Sequence, residues 1–98
     1  MPKRVYLGTT DLVFRSKLGA VVQVAGALVT RDEAASDLAL IELGGQDAAA
    51  RIRTFVARGV PVLAFGSHVR ADELRSAREA GAVAVPNSEV ADRLRGML

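Results

Sequence analysis

The sequence predicts a three-layer α/β fold, in which a doubly wound parallel sheet of five strands carries helices on both faces. Three observations predict it. Short apolar runs alternate along the chain with longer amphipathic stretches, the form that a sheet buried on both faces and its crossover helices take in sequence. Glycines punctuate the change from one to the other, Gly59 before Val60-Pro61 and Gly81 before Ala82, where the residue past a helix end adopts the left-handed conformation and a strand begins. Half of the 98 residues are apolar, enough to enclose one core without disulfide staples, and the chain has no cysteine.

The elements follow in order. A first strand at Arg4–Leu7 leads to a helix at Asp11–Ala25, where Phe14, Leu18, Val21, Val22 and Ala25 recur at i, i+4, i+7, i+8 and i+11 and define one buried face. Asp11 stands where a helix start takes a capping side chain. A second strand at Ala27–Thr30 is separated from a third at Asp37–Leu43 by only six residues, Arg31 to Ser36. A parallel crossover ordinarily needs a dozen or more residues, and six fully extended span roughly 20 Å. The second helix is therefore expected as a single turn at Asp32–Ser36 or none, with the sheet partly open near the second strand. The helix at Asp47–Ala57 buries Ile52, Phe55 and Val56 and precedes a strand at Val60–Phe65. The next, Arg70–Ala80, turns Leu74 and Ala77 inward and places Asp72 and Glu73 in its first turn, where the helix dipole favours acids. A fifth strand at Ala82–Val85 and a last helix at Ser88–Gly96, capped by Ser88 or Asn87 and aligning Val90, Leu94 and Met97, complete one domain over residues 1–98. With right-handed crossovers, the flavodoxin-like order 2-1-3-4-5 is one of two common solutions for such a chain.

Composition narrows the function classes. The formal net charge is +2, and all but two of the 13 basic residues, Lys3 and Lys17, are arginines. Eight of these arginines, Arg51, Arg53, Arg58, Arg70, Arg75, Arg78, Arg93 and Arg95, are spread over three helices among Asp72, Glu73, Glu79 and Asp92, the distribution of solvated helix faces, so no nucleic-acid partner is expected. With a single histidine and no cysteine, no zinc site is expected either. The N-terminus lacks a signal-peptide core and no run of eighteen apolar residues occurs, so the expectation is a soluble, cytoplasmic protein without membrane contact. His68 is the one histidine and so the one candidate base, but no acid is clearly placed to orient it, and side chains adjacent in sequence, as Ser67 is, rarely point at each other. The chain is not expected to be an enzyme.

Three segments in succession, Asp37-Leu-Ala-Leu-Ile-Glu42-Leu43, Val60-Pro-Val-Leu-Ala-Phe65-Gly-Ser67 and Ala77-Arg-Glu-Ala-Gly81-Ala82, resemble the receiver (CheY-like) domain of bacterial response regulators. The resemblance covers nearly the whole chain, with its gap at the second helix. It implies a phospho-acceptor aspartate at the end of the third strand, an acidic pair that holds magnesium, a switch hydroxyl and a lysine. Each of those positions departs from the pattern. The acceptor position holds Glu42, the acidic pair falls on Thr9 and Thr10, the switch hydroxyl on Gly66 with Ser67 beside it, and the lysine near Asn87 or Ser88. Magnesium needs hard anionic oxygens, and phosphoryl transfer depends on cations to stabilise developing charge. No metal and no cofactor are therefore expected, and phosphorylation is expected to be absent or very slow.

What the resemblance then implies is a pseudo-receiver, a phosphorylation-independent protein-interaction module of two-component signalling. Its docking face, by the same resemblance, comprises the fourth and fifth receiver helices and the strand between them, here Arg70, Arg75, Arg78, Val83, Arg93 and Arg95. The partner is unknown, and a second copy of the chain is the simplest candidate. Glu42 has two readings, a permanent carboxyl that imitates the phosphorylated state, or a strand-end glutamate bonded to Thr9, Thr10 or Ser67. An alternative function treats the strand edge as a site for a small anion or nucleotide, built from Gly8, Gly44-Gly45-Gln46 and Gly66-Ser67-His68. No G-x-G-x-x-G or P-loop spacing accompanies them.

Overall fold

Five parallel strands in the order β2-β1-β3-β4-β5 form the middle layer of the computed structural model, which describes residues 2–45 and 47–98. The strands are β1 (Arg4–Gly8), β2 (Leu28–Thr30), β3 (Leu38–Glu42), β4 (Val62–Gly66) and β5 (Val83–Pro86), and the helices are α1 (Leu12–Val24), α2 (Ala48–Ala57), α3 (Ala71–Glu79) and α4 (Val90–Met97). The fold class, the strand order and the shortened second crossover are as the sequence predicts. Between β2 and β3 a single 3-10 turn, Glu33–Ala35, takes the place of a helix.

Alternation along the strands sorts the core into two halves. Val5, Leu7, Leu38, Leu40, Leu63 and Phe65 face α1 and α4, and Phe14 of α1 packs on Phe65 with ring centroids 5.1 Å apart. Ala39, Ile41, Val62, Ala64 and Ala84 face α2 and α3, where Ile52, Phe55, Leu74 and Ala77 meet them. Every residue of β4 is buried between the two halves.

Element ends differ from the sequence-based expectation in small ways. Ala25 lies past the end of α1 and is exposed, because the chain leaves the helix there for the turn at Gly26. Val56, expected inside, is 38% exposed at the flank of α2. Neither Ser88 nor Asn87 caps α4; both belong to a 3-10 turn, Asn87–Glu89, that carries the chain from β5 into the helix without a side-chain cap. Gln46 lies outside the described residues.

The edge at β2 is the thinnest part of the molecule. Leu28 is 53% and Val29 39% exposed. Where the missing helix would lie, Arg51 of α2 reaches across instead, its guanidinium donating to the Tyr6 hydroxyl at 2.9 Å and standing 3.5 Å from Glu33. At the amino end of the sheet Asp37 accepts the Arg4 backbone N–H at 2.9 Å, and the Arg4 guanidinium lies 3.5 Å away; the hydrogen bond and this charge hold the Asp37 carboxyl below its usual range. Among the described residues no helix is long and apolar enough to cross a membrane.

Candidate functional site

The carboxyl ends of β1, β3, β4 and β5 open into a cleft of about 720 Å³. Its floor is set by β1 and β3. Thr9, just beyond β1, is 5% exposed, and its hydroxyl donates to Glu42 Oε1 at 2.6 Å while accepting the Asp11 backbone N–H at 3.1 Å. Glu42, the last residue of β3, is half-buried. Of the two readings of Glu42, the hydroxyl-bonded glutamate has its partner in Thr9. Thr10 is exposed beside it.

Asp11 is spent on structure. Its Oδ1 accepts the backbone N–H groups of Val13 at 2.9 Å and Phe14 at 3.2 Å, the side-chain cap that α1 needs at its N-terminus. The acid nearest the first loop is thus turned into the helix. Among the described residues no three histidine, aspartate or glutamate side chains gather as a metal-binding group.

Two glycines of this region are fixed by packing. A Cβ on Gly8 would stand 2.7 Å from the Leu40 carbonyl oxygen, a separation at which backbone must move, and one on Gly66 would stand 3.1 Å from the Leu43 side chain. The Leu43 side chain thus packs closely against Gly66, the position that the sequence matches to a switch hydroxyl. Ser67, next in the chain, also lines the cleft, and its Oγ accepts the Val69 backbone N–H at 3.4 Å in the turn after β4.

Gly8, Gly44 and Gly45 line the cleft as the sequence predicts, together with Thr9, Thr10, Glu42, Gly66, Ser67 and Asn87. His68 is exposed and does not line it, because the chain turns outward after Ser67. Arg70, expected on the docking face, lines the cleft and pairs with Glu73 at 3.0 Å. Sequence reasoning missed Arg15 and Arg51. Arg15 donates from one guanidinium nitrogen to the Leu7 and Thr9 carbonyls at 3.2 and 3.0 Å, tying α1 to the end of β1. One buried polar atom on the lining, Asn87 Oδ1, has no hydrogen-bond partner among the described residues.

The chemistry of this arrangement is that of a cationic rim around a bonded glutamate. Arg15, Arg51 and Arg70 bring three guanidinium groups, and Glu42 and Glu73 two carboxyls.

The expected docking face is only partly continuous. Arg78 of α3 donates to the Ala84 carbonyl of β5 at 2.9 Å, so its guanidinium is a stitch along the sheet edge. Arg75 and Arg93 are exposed and make no ion pair among the described residues, whereas Arg95 pairs with Asp92. Residues two apart lie about 200° apart around a helix. Arg93 and Arg95 therefore leave opposite flanks of α4, and only one of them can share a surface with Arg75, Arg78 and half-buried Val83.

No protein-family model and no curated protein matches the sequence. Solved structures do match. A response regulator from Thermotoga maritima superposes with a TM-score of 0.78 at 16% identity, over 99% of this chain and 94% of that one. The BeF3-activated DrrB receiver domain gives 0.82 at 16% identity, with the same coverage of both chains. A CheY-like protein, TadZ, from Pseudomonas aeruginosa gives 0.77 at 20% identity, over 97% of this chain and 95% of that one. Five strands in the order 2-1-3-4-5, with helices on both faces, give this chain the fold of the response-regulator receiver domains.

Proposed function

We propose that this chain is a receiver-fold signalling module that docks protein partners without a phosphorylation switch, and that it is not an enzyme. The observation that supports the reading most is the Thr9 to Glu42 hydrogen bond. Hydroxyls stand where a receiver would gather magnesium ligands, and the one carboxyl at the strand end is engaged by a hydroxyl. A divalent cation asks for several hard anionic oxygens, and a transferring phosphoryl group asks for cations placed around it. The docking surface is the arginine-bearing edge of α3, β5 and α4, of which Arg75 and Arg93 are the members not engaged within the fold. Its charge suits a partner with an acidic surface, since electrostatics of this kind set register and on-rate.

A second reading is favoured by one feature, the three guanidinium groups around the strand-edge cleft, which suit a small anion or the phosphates of a nucleotide. An amide NMR titration separates the two. Magnesium with a phosphoryl mimic, then phosphate and common nucleotides, should leave the signals of Gly8, Gly44, Gly45 and Gly66 in place. Saturable shifts clustered at those glycines would overturn the docking-only reading in favour of a ligand-bearing cleft.

A further inference from the structure

We propose that a second copy of this chain docks on the free edge of β2, pairing β2 with β2 of the copy in antiparallel fashion and laying α1 beside α1. This goes beyond the docking reading above, which concerns the opposite edge of the sheet. The strand itself supplies the first argument. The Leu28 N–H donates to the Lys3 carbonyl at 2.9 Å, so Leu28 and Thr30 address β1 and the N–H and C=O of Val29 between them point away from the sheet. Exposed edges are ordinarily blunted by charge, proline, a bulge or a covering element. Leu28-Val29-Thr30 has no charge, proline or bulge within the strand, its shortness of three residues is what blunts it, and the 3-10 turn leaves Leu28 53% and Val29 39% exposed. Antiparallel pairing about Val29 lets the two Val29 residues exchange both hydrogen bonds and sets Leu28 against Thr30 of the copy.

The helix above the edge supplies the second argument. Phe14 of α1 leans on Phe65 of β4, which fixes the rotation of the helix. Gly19 then lies on the flank next to buried Leu18 and Val22, while Ser16 and Gln23 point away from the sheet and Arg15 on the same flank is held by the Leu7 and Thr9 carbonyls. A Cβ on Gly19 would meet nothing within 4 Å. Because α1 packs over both β1 and β2, a copy beyond β2 places its own α1 about two strand spacings away, roughly 10 Å, the distance at which helices pack. The open space at Gly19 suits such an approach.

Charge selects a copy of this chain as the occupant. An isologous contact at the arginine-bearing edge would set positive against positive. At β2, Lys3 and Arg4 flank the amino end and Asp32 and Glu33 the carboxyl end, so an antiparallel copy opposes acid to base. Arg4 is already paired with Asp37 and Glu33 with Arg51, so the complementarity left to the copy is Lys3 against Asp32, with Arg31 at the acidic end the exception.

Sedimentation equilibrium of the whole chain from micromolar to millimolar concentration tests this. The wild type should dimerise, and Leu28→Lys and Gly19→Arg should each weaken the dimer at least about tenfold, or about 1.4 kcal/mol. Both positions are outside the core, so far-UV circular dichroism should stay unchanged. Arg75→Glu combined with Arg93→Glu should leave the dimer intact. A wild type that stays monomeric at millimolar concentration would overturn the proposal, as would a dimer that both β2-edge variants leave untouched or that the double arginine variant dissociates.

Discussion

The two edges of the sheet are closed by different means. At β5 both faces are covered, by α3 on one side and α4 on the other, Arg78 bonds the Ala84 carbonyl, and the strand ends on Pro86, which has no N–H to offer. At β2 only α1 lies overhead, the strand is three residues long, and one arginine reaching from α2 to Tyr6 and Glu33 stands in for a helix. The difference teaches where this fold tolerates loss. A crossover can shrink to a single turn at an edge because β3 and β4, each flanked on both sides and buried on both faces, hold the core without it.

Matched leucines break the comparison most strongly. Leu74→Ala, on the helix that covers the β5 side, should cost about 2–5 kcal/mol in chemical denaturation, as buried leucines do. Leu28→Ala should change stability by less than about 1 kcal/mol, since half of that side chain already meets water. Equal losses at the two sites would show that the β2 edge is covered after all. Arg78→Ala should cost about 1 kcal/mol by leaving the Ala84 carbonyl without its charged donor, with weakened hydrogen-exchange protection confined to β5 and α3. Tyr6→Phe, read by the same unfolding measurement, should cost about 0.5–1 kcal/mol and loosen the Arg51 contact over the open face.

The smallest effect is one of pH. The Asp37 carboxyl is held below its usual value by the Arg4 N–H and guanidinium, so folding gains stability from its ionised form above about pH 4 and loses it as pH falls through the folded value. Asp37→Asn should flatten this part of the acid limb of the stability profile and leave the neutral-to-alkaline limb unchanged. A steeper acid limb in the variant would reverse the sign assigned here.

Much of the fold is legible in the sequence because its signals are local. Apolar runs name the strands, glycines mark their approach, and the six residues between the second and third runs leave no room for a full helix. The start of α4 is less legible, since Asn87 and Ser88 have capping side chains but the chain runs on from Pro86 through a 3-10 turn. The cleft is legible in its loops and not in its rim. Arg51 meets Tyr6 across 45 positions, a contact that only the assembled sheet creates. Arg15 could have been found: it follows the cap Asp11 by four residues, and helical side chains lean back toward the N-terminus, here toward the strand edge. Gly8 and Gly66 carry no sign in sequence of the neighbours that exclude a Cβ.

The most direct test of the central claim is intact-mass measurement of the full chain after incubation with magnesium and a small-molecule phosphodonor such as acetyl phosphate. Arginines, hydroxyls and a bonded Glu42 in place of metal ligands predict an unmodified mass at every time point. Accumulation of a labile, stoichiometric phosphoryl adduct that disappears in Glu42→Gln would contradict the account, because it would place working phosphotransfer chemistry at the strand end.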